Sequence, residues 1–110
     1  MEIIRGRRNI IIVTIMKGGE IFPLTGYEGN LVIAITAGGD TEIEKEGVIS
    51  NPDSGVIEFT LLPDDTKSAQ VRRAKYEVNI WKTADKTTVF TPITGDCDIL
   101  RGLDDDPTNK

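Results

Sequence analysis

Most of the side chains in this sequence that could do chemistry are carboxylates. Asp40, Glu42, Glu44 and Glu46 alternate along one segment, and four hard oxygen donors are the set a calcium ion takes. On one face of a strand, however, neighbours lie about 6.5 to 7 Å apart, so these four cannot converge on an ion without a loop. The expectation is a solvated acidic face that discourages edge pairing, with no metal ion assigned. Asp64 and Asp65 are adjacent and follow a proline, which suits them to capping a helical turn rather than to paired catalysis. Cys97, the single cysteine, points away from both neighbours if Asp96-Cys97-Asp98 is extended. With no histidine, helix N-terminus or cation cluster at hand to activate it, a buried inert thiol is expected. Arg5-Gly6-Arg7-Arg8 and Arg72-Arg73-Ala74-Lys75 are the two basic clusters, each able to bind an anion weakly. In an acidic chain they read as contacts to acidic surfaces of a protein partner. The glycine pairs lack the spacing and following helix of a nucleotide loop, so no cofactor is expected.

Composition excludes much of what remains. The 110 residues contain no histidine, which removes Ser-His-Asp and Cys-His nucleophile pairs and histidine-containing zinc sets within one chain. One cysteine removes an internal disulfide. A net charge of −5 lacks the basic field that phosphate binding needs, so a nucleic-acid partner is not expected. No constellation supports an enzyme. The basic tetrapeptide ahead of residues 10–16 imitates a secretory signal, but the apolar stretch is short, β-branched and without a small-residue cleavage site. Nothing approaches the roughly 18 to 20 apolar residues of a membrane span. A soluble chain with no membrane partner is expected.

The elements that must carry these residues are strands. Fifteen isoleucines, seven valines and twelve threonines stand against six leucines and five alanines, a bias that suits pleated sheets. Alternation and turn residues predict strands at about 2–5, 8–17, 20–23, 30–37, 41–50, 55–62, 74–83, 86–92 and 95–101. Gly18-Gly19, Gly38-Gly39-Asp40, residues 51–55 and Ala84-Asp85-Lys86 supply the turns. One short helical turn is expected near residues 63–70, where Pro63 precedes two acids. A chain of this size buries about two-thirds of its unfolded surface, enough for one core. One domain over residues 1–102 is expected, with residues 103–110 a flexible acidic tail.

Period two assigns the faces. Ile57, Phe59 and Leu61 share one side of their strand, as do Leu31, Ile33 and Ile35, and Tyr76, Val78 and Ile80; Trp81 falls with Glu77 and Asn79 on a polar face. Residues 10–16 are apolar on both sides, with Ile11, Val13 and Ile15 on one and Ile10, Ile12 and Met16 on the other. Such a strand must be covered twice, either by another part of the chain or by a neighbouring subunit. Ile10, Ile12, Met16, Trp81, Arg7, Arg8, Arg72 and Arg73 are therefore the candidate interface residues.

The order of these elements resembles the immunoglobulin-like antiparallel β-sandwich domain of bacteriophage tail and baseplate proteins, and is similar to the N-terminal domain of lactococcal-phage upper baseplate proteins. The resemblance runs over residues 4–100. It comprises Ile4-Arg5-Gly6 before the first long apolar strand, Pro23-Leu24-Thr25-Gly26 before Leu31-Val32-Ile33-Ala34-Ile35, and Asp53-Ser54-Gly55-Val56-Ile57-Glu58-Phe59-Thr60-Leu61 running into Pro63-Asp64-Asp65-Thr66. Tyr76-Glu77-Val78-Asn79-Ile80 and Thr94-Gly95-Asp96-Cys97-Asp98-Ile99 complete it. Tyr27-Glu28-Gly29 departs from the pattern as an insertion before the third strand, and the relatives continue into further domains. The resemblance implies an all-β fold and a structural, non-catalytic part of a tailed-phage virion in the tail, baseplate or connector region. It also implies a homo-oligomer in contact with other virion proteins, made in the bacterial host cytoplasm. A carbohydrate-binding or adhesin-type module is the alternative, with Trp81 and Tyr27 as the available aromatic surface.

Overall fold

The computed structural model describes residues 1–35 and 41–101, and the backbone alone of Lys86, Thr87, Thr88 and Phe90. The β-branched runs form strands because their stiff side chains pack well on a pleated surface. In chain order these are β1 (Glu2–Arg5), β2 (Asn9–Thr14), β3 (Met16–Lys17), β4 (Glu20–Ile21), β5 (Tyr27–Ala34), β6 (Thr41–Glu46), β7 (Val48–Asn51), β8 (Val56–Leu61), β9 (Arg73–Lys82) and β10 (Asp85–Arg101). A helical turn, α1, spans Pro63–Thr66, and a 3-10 turn spans Pro52–Ser54. One sheet has the order β1-β10-β9-β5-β6 and a second the order β2-β8-β7, while β3 and β4 make a hairpin. Among the described residues only β1, beside β10, runs parallel to a neighbour. The fold is all-β, a sandwich of two main sheets. Among the described residues no helix is long and apolar enough to cross a membrane.

The core lies where the inner faces of the two sheets meet. Ile57, Phe59 and Leu61 of β8, Leu31 and Ile33 of β5, Val78 and Ile80 of β9 and Ile99 of β10 are all buried. Each such side chain contributes about 1.5–3 kcal/mol on burial. Ile11 and Val13 of β2, Ile35 and Tyr76 pack against this cluster while keeping some exposure. The alternation of Ile57, Phe59 and Leu61 with Val56, Glu58 and Thr60 is thus the real burial pattern of β8.

Four predicted strand boundaries are corrected. The expected strand at 8–17 breaks at Ile15, whose N–H donates to the Gly55 carbonyl at 2.8 Å and whose carbonyl accepts from the Phe22 N–H at 2.9 Å. Gly55 has a φ of 68°, and a Cβ there would stand 2.6 Å from the Phe22 carbonyl oxygen, so only glycine allows this crossing. The expected strand at 41–50 is two strands in different sheets, β6 and β7, parted at Gly47. A Cβ on Gly47 would meet the Phe59 ring at 2.6 Å, and its absence lets the chain cross between sheets against the core. The strand expected from residue 30 begins earlier, since Tyr27, Glu28 and Gly29 pair with Lys82, Trp81 and Ile80 as the start of β5. The predicted strands at 86–92 and 95–101 are one strand, β10, which absorbs its irregularity as register shifts at Asp85/Val89 and Phe90/Ile93. Pro92, with no N–H to give a ladder, sits in the second shift. The predicted turn at Gly38-Gly39-Asp40, Thr36 and the acidic tail lie outside the described residues.

The helical turn forms as its sequence implies. Pro63 occupies an early helical position, and Asp65 Oδ2 accepts the Leu62 N–H at 2.7 Å, so one of the two predicted acids does cap the turn. Thr66 is fully buried, and its hydroxyl oxygen accepts the Gly6 N–H at 2.9 Å, tying α1 to the turn between β1 and β2. Thr66→Val leaves the Gly6 N–H buried and unpaired, and should lower stability by about 1–3 kcal/mol in urea unfolding. Thr66→Ser keeps the oxygen and should lose only the methyl group, about 0.8 kcal/mol.

Candidate functional site

Period two and the pairing register set the outer face of the three-stranded sheet. Ile10 stands opposite Thr60, Ile12 opposite Glu58, and Thr14 opposite Val56, while Val48 of β7 faces Glu58 from the other side. Ile10, Ile12 and Val48 are 52%, 65% and 69% exposed. The β3–β4 hairpin extends this apolar surface. Gly18 and Gly19, both at positive φ, make its two-residue turn and set Met16 opposite Ile21, each about half exposed. Of the two ways to cover the second face of residues 10–16, no described part of the chain supplies the internal one. Arg8 lies exposed just before β2.

Trp81 lies on the opposite side of the molecule, on the outer face of the five-stranded sheet, so the candidate interface residues divide between two surfaces. Its indole Nε1 donates to Glu28 Oε2 at 2.9 Å, and the ring is half-buried. Around it runs a polar ladder. Asn79 donates to Asn30 at 3.2 Å, Asn30 to Glu44 at 3.3 Å, and Thr91 to Glu77 at 3.4 Å. Farther along, Asp96 accepts from Lys75 and from Arg73, the latter at 3.2 Å, and Arg73 also reaches Asp98 at 3.7 Å. Lys75 and then Arg73 hold the Asp96 carboxyl below the usual carboxylate range. A groove of about 540 Å³ runs over Val32, Ala34, Lys75, Tyr76, Glu77 and Asp96, and two of its three charged groups, Lys75 and Asp96, are paired with each other.

The basic clusters are less available than their sequence implies. Arg73 is matched by two carboxylates on the neighbouring strand. Arg7 is half-buried, with its Nη1 atom buried and without a hydrogen-bond partner among the described residues. The turn that carries it is pinned by Asn9, whose Nδ2 donates to the carbonyls of Ile4 and Arg7 and whose Oδ1 accepts the Ile4 N–H, all at 3.0 Å. Arg72 is exposed, and its carbonyl accepts the Ile99 N–H at 3.0 Å.

The carboxylates of β6 do not act together. Glu42 accepts from Gln70 at 3.1 Å and Glu44 from Asn30, and Asp40 lies outside the described residues. Cys97 is buried on the inner side of β10, and burial pushes its thiol up, with the Asp98 charge adding to the rise and the N-terminal ammonium opposing it. Two apolar members of the open surface, Val48 and Ile21, escape sequence reasoning. The signals were present: Val48 and Ser50 alternate with Ile49, and the glycine pair fixes Ile21 across from Met16.

Two measurements follow. Cys97 should resist a thiol reagent at pH 7.5 in the native protein and react at the rate of a free thiol once urea unfolds the chain. The Leu62 N–H, and Lys45 3.0 Å away, hold Asp65 low despite the opposing effect of its partial burial. Because the folded value lies below the unfolded one near about 3.9, this stabilisation is complete above that pH and fades as pH falls through the folded value. Asp65→Asn should be less stable at pH 7 and should lose stability less steeply than the parent from about pH 4 to pH 2 in acid-titrated unfolding. No protein-family model matches this sequence, and no curated protein matches it.

Proposed function

We propose that this chain is a structural component of a tailed-phage virion, in the tail, baseplate or connector region, acting through protein–protein contacts and not through catalysis. The observation that carries the assembly role is the open apolar face of β2 and the β3–β4 hairpin, where Ile10, Ile12, Met16 and Ile21 stay exposed. A contiguous apolar patch of this kind on a small domain marks an interaction site. The phage assignment follows from the order of sequence elements over residues 4–100. Its location is the virion, after synthesis in the host cytoplasm, and its partners are copies of itself and other virion proteins.

The finer fold reading is an immunoglobulin-like sandwich. The order β2-β8-β7 facing β10-β9-β5-β6 corresponds to strands B-E-D facing G-F-C-C′ of that architecture. The inter-sheet disulfide and buried tryptophan of antibody domains have no counterpart; Val78 and the isoleucines around it fill that space.

The second reading is a carbohydrate-binding module, favoured by a cleft of about 190 Å³ that brings Trp81 together with Glu28 and Glu46. Against it, the Trp81 N–H is already bonded to Glu28, and Tyr27, which also lines the cleft, packs edge-on against Phe22 with ring centroids 5.3 Å apart. Mass spectrometry of purified virions should find this chain among the particle proteins; its absence would sink the proposal. Ile12→Asp should remove its incorporation into particles while leaving the melting temperature within a few degrees. A glycan array should give no binding, and saturable binding abolished by Trp81→Ala would favour the second reading.

A further inference from the structure

We infer that the free edge of β2 pairs antiparallel with the β2 edge of a second copy of this chain, joining two three-stranded sheets into one six-stranded sheet across a two-fold axis. This deepens the assembly reading by naming the edge and the partner, and its geometry does not depend on the virion.

Among the described residues β2 bonds to β8 on one side only, so its other edge presents unpaired backbone N–H and C=O groups. The remaining edges of the two main sheets carry devices against such pairing. β6 bears Glu42, Glu44 and Glu46, β1 bears Glu2 and Arg5, and β7 has a register shift between Ile49 and Asn51 and runs straight into Pro52. β2 has none of these. Its six residues, Asn-Ile-Ile-Ile-Val-Thr, include no charge and no proline, and its ladder with β8 runs without a shift.

The strand is also self-complementary. A two-fold axis at Ile11 sets Ile10 of each copy opposite Ile12 of the other and Asn9 opposite Val13. This register keeps inward residues against inward residues, so both cores stay on the same side of the joined sheet. Charge favours the same approach. The chain carries a net charge of −5, and acids cluster on the β6 edge and on β10, in the other sheet, while the residue leading into β2 is Arg8. Two copies therefore meet with least repulsion at β2.

Ile10, Ile12, Met16 and Ile21 leave on the order of 400 Å² of apolar surface, in the range that marks a functional patch. Edge pairing sets Ile10 and Ile12 of the two copies side by side and covers only part of this surface, so with the six-residue backbone edge the contact falls short of the roughly 600–1,000 Å² per partner of a stable pair. A weak dimer, with a dissociation constant of about 1–100 μM, is the expected result.

Sedimentation equilibrium of the full chain should show that monomer–dimer equilibrium. Ile12→Lys should weaken it at least tenfold with an unchanged melting curve. Val48→Lys, on the same outer face but beyond β8, should change it less than about twofold. Mixing Ile10→Cys and Ile12→Cys chains should give a disulfide-linked pair on mild oxidation, and neither variant should link to itself, because directly opposed residues lie about 4.5–5.5 Å apart. A chain that stays monomeric to about 1 mM overturns the inference, as does equal weakening by both lysines, which would mean stacking of faces. Self-linking of Ile12→Cys overturns the register. A monomer found in virions sinks the pairing and leaves the assembly role; a dimer absent from virions does the reverse.

Discussion

The rest of the structure depends on the burial of the inner row of β8. Ile57, Phe59 and Leu61 are fully buried, on the middle strand of the three-stranded sheet, and project toward the five-stranded one. Two glycines make room for this row: a Cβ on Gly29 would meet the Ile57 side chain at 2.7 Å, and one on Gly47 would meet Phe59 at 2.6 Å. Close packing of this kind tolerates little change in volume. Because side chains alternate along a strand, fixing the inner row of β8 also fixes, through its register with β2 and β7, which residues of those strands must face water.

The two outer faces then resolve in opposite ways. On the five-stranded sheet the outward row of β9 is Arg73, Lys75, Glu77 and Asn79, and the strand order brings opposite signs together: Lys75 and Arg73 on β9 meet Asp96 and Asp98 on β10. Such exposed pairs add little stability, but they leave a surface with small net demand for a partner. On the three-stranded sheet the same alternation turns Ile10 and Ile12 outward beside Thr14, Val56 and Thr60, with Glu58 the charged residue among them. Among the described residues, that face and its free edge are the part of the molecule whose physical requirements the chain itself leaves unmet, and the inferred pairing with a second copy would satisfy the edge.

How much of this was legible in the sequence depended on whether the cause was local. The alternations of 57–61, 31–33 and 76–80 stated the core directly, because burial on one face is a period-two signal. The apolar outer side of Ile10, Ile12 and Met16 was legible for the same reason, and so was the placing of Trp81 on a polar face. The break at Ile15 was not, because it depends on hydrogen bonds to Gly55 and Phe22, which are distant in sequence or across a hairpin. Gly47 reads as an ordinary strand residue until Phe59 is placed beside it. The neutralisation of Arg73 by Asp96 and Asp98 required knowing that β9 and β10 pair in that register, which no local pattern encodes.

Hydrogen exchange along β2, followed residue by residue at micromolar and at near-millimolar concentration, tests the free edge most directly. Amides of β2 that point away from β8 should become protected as concentration rises, while those of β8 exchange at one rate throughout. Equal, fast exchange of the outward β2 amides at both concentrations would mean that the edge stays solvated and that no second copy pairs with it.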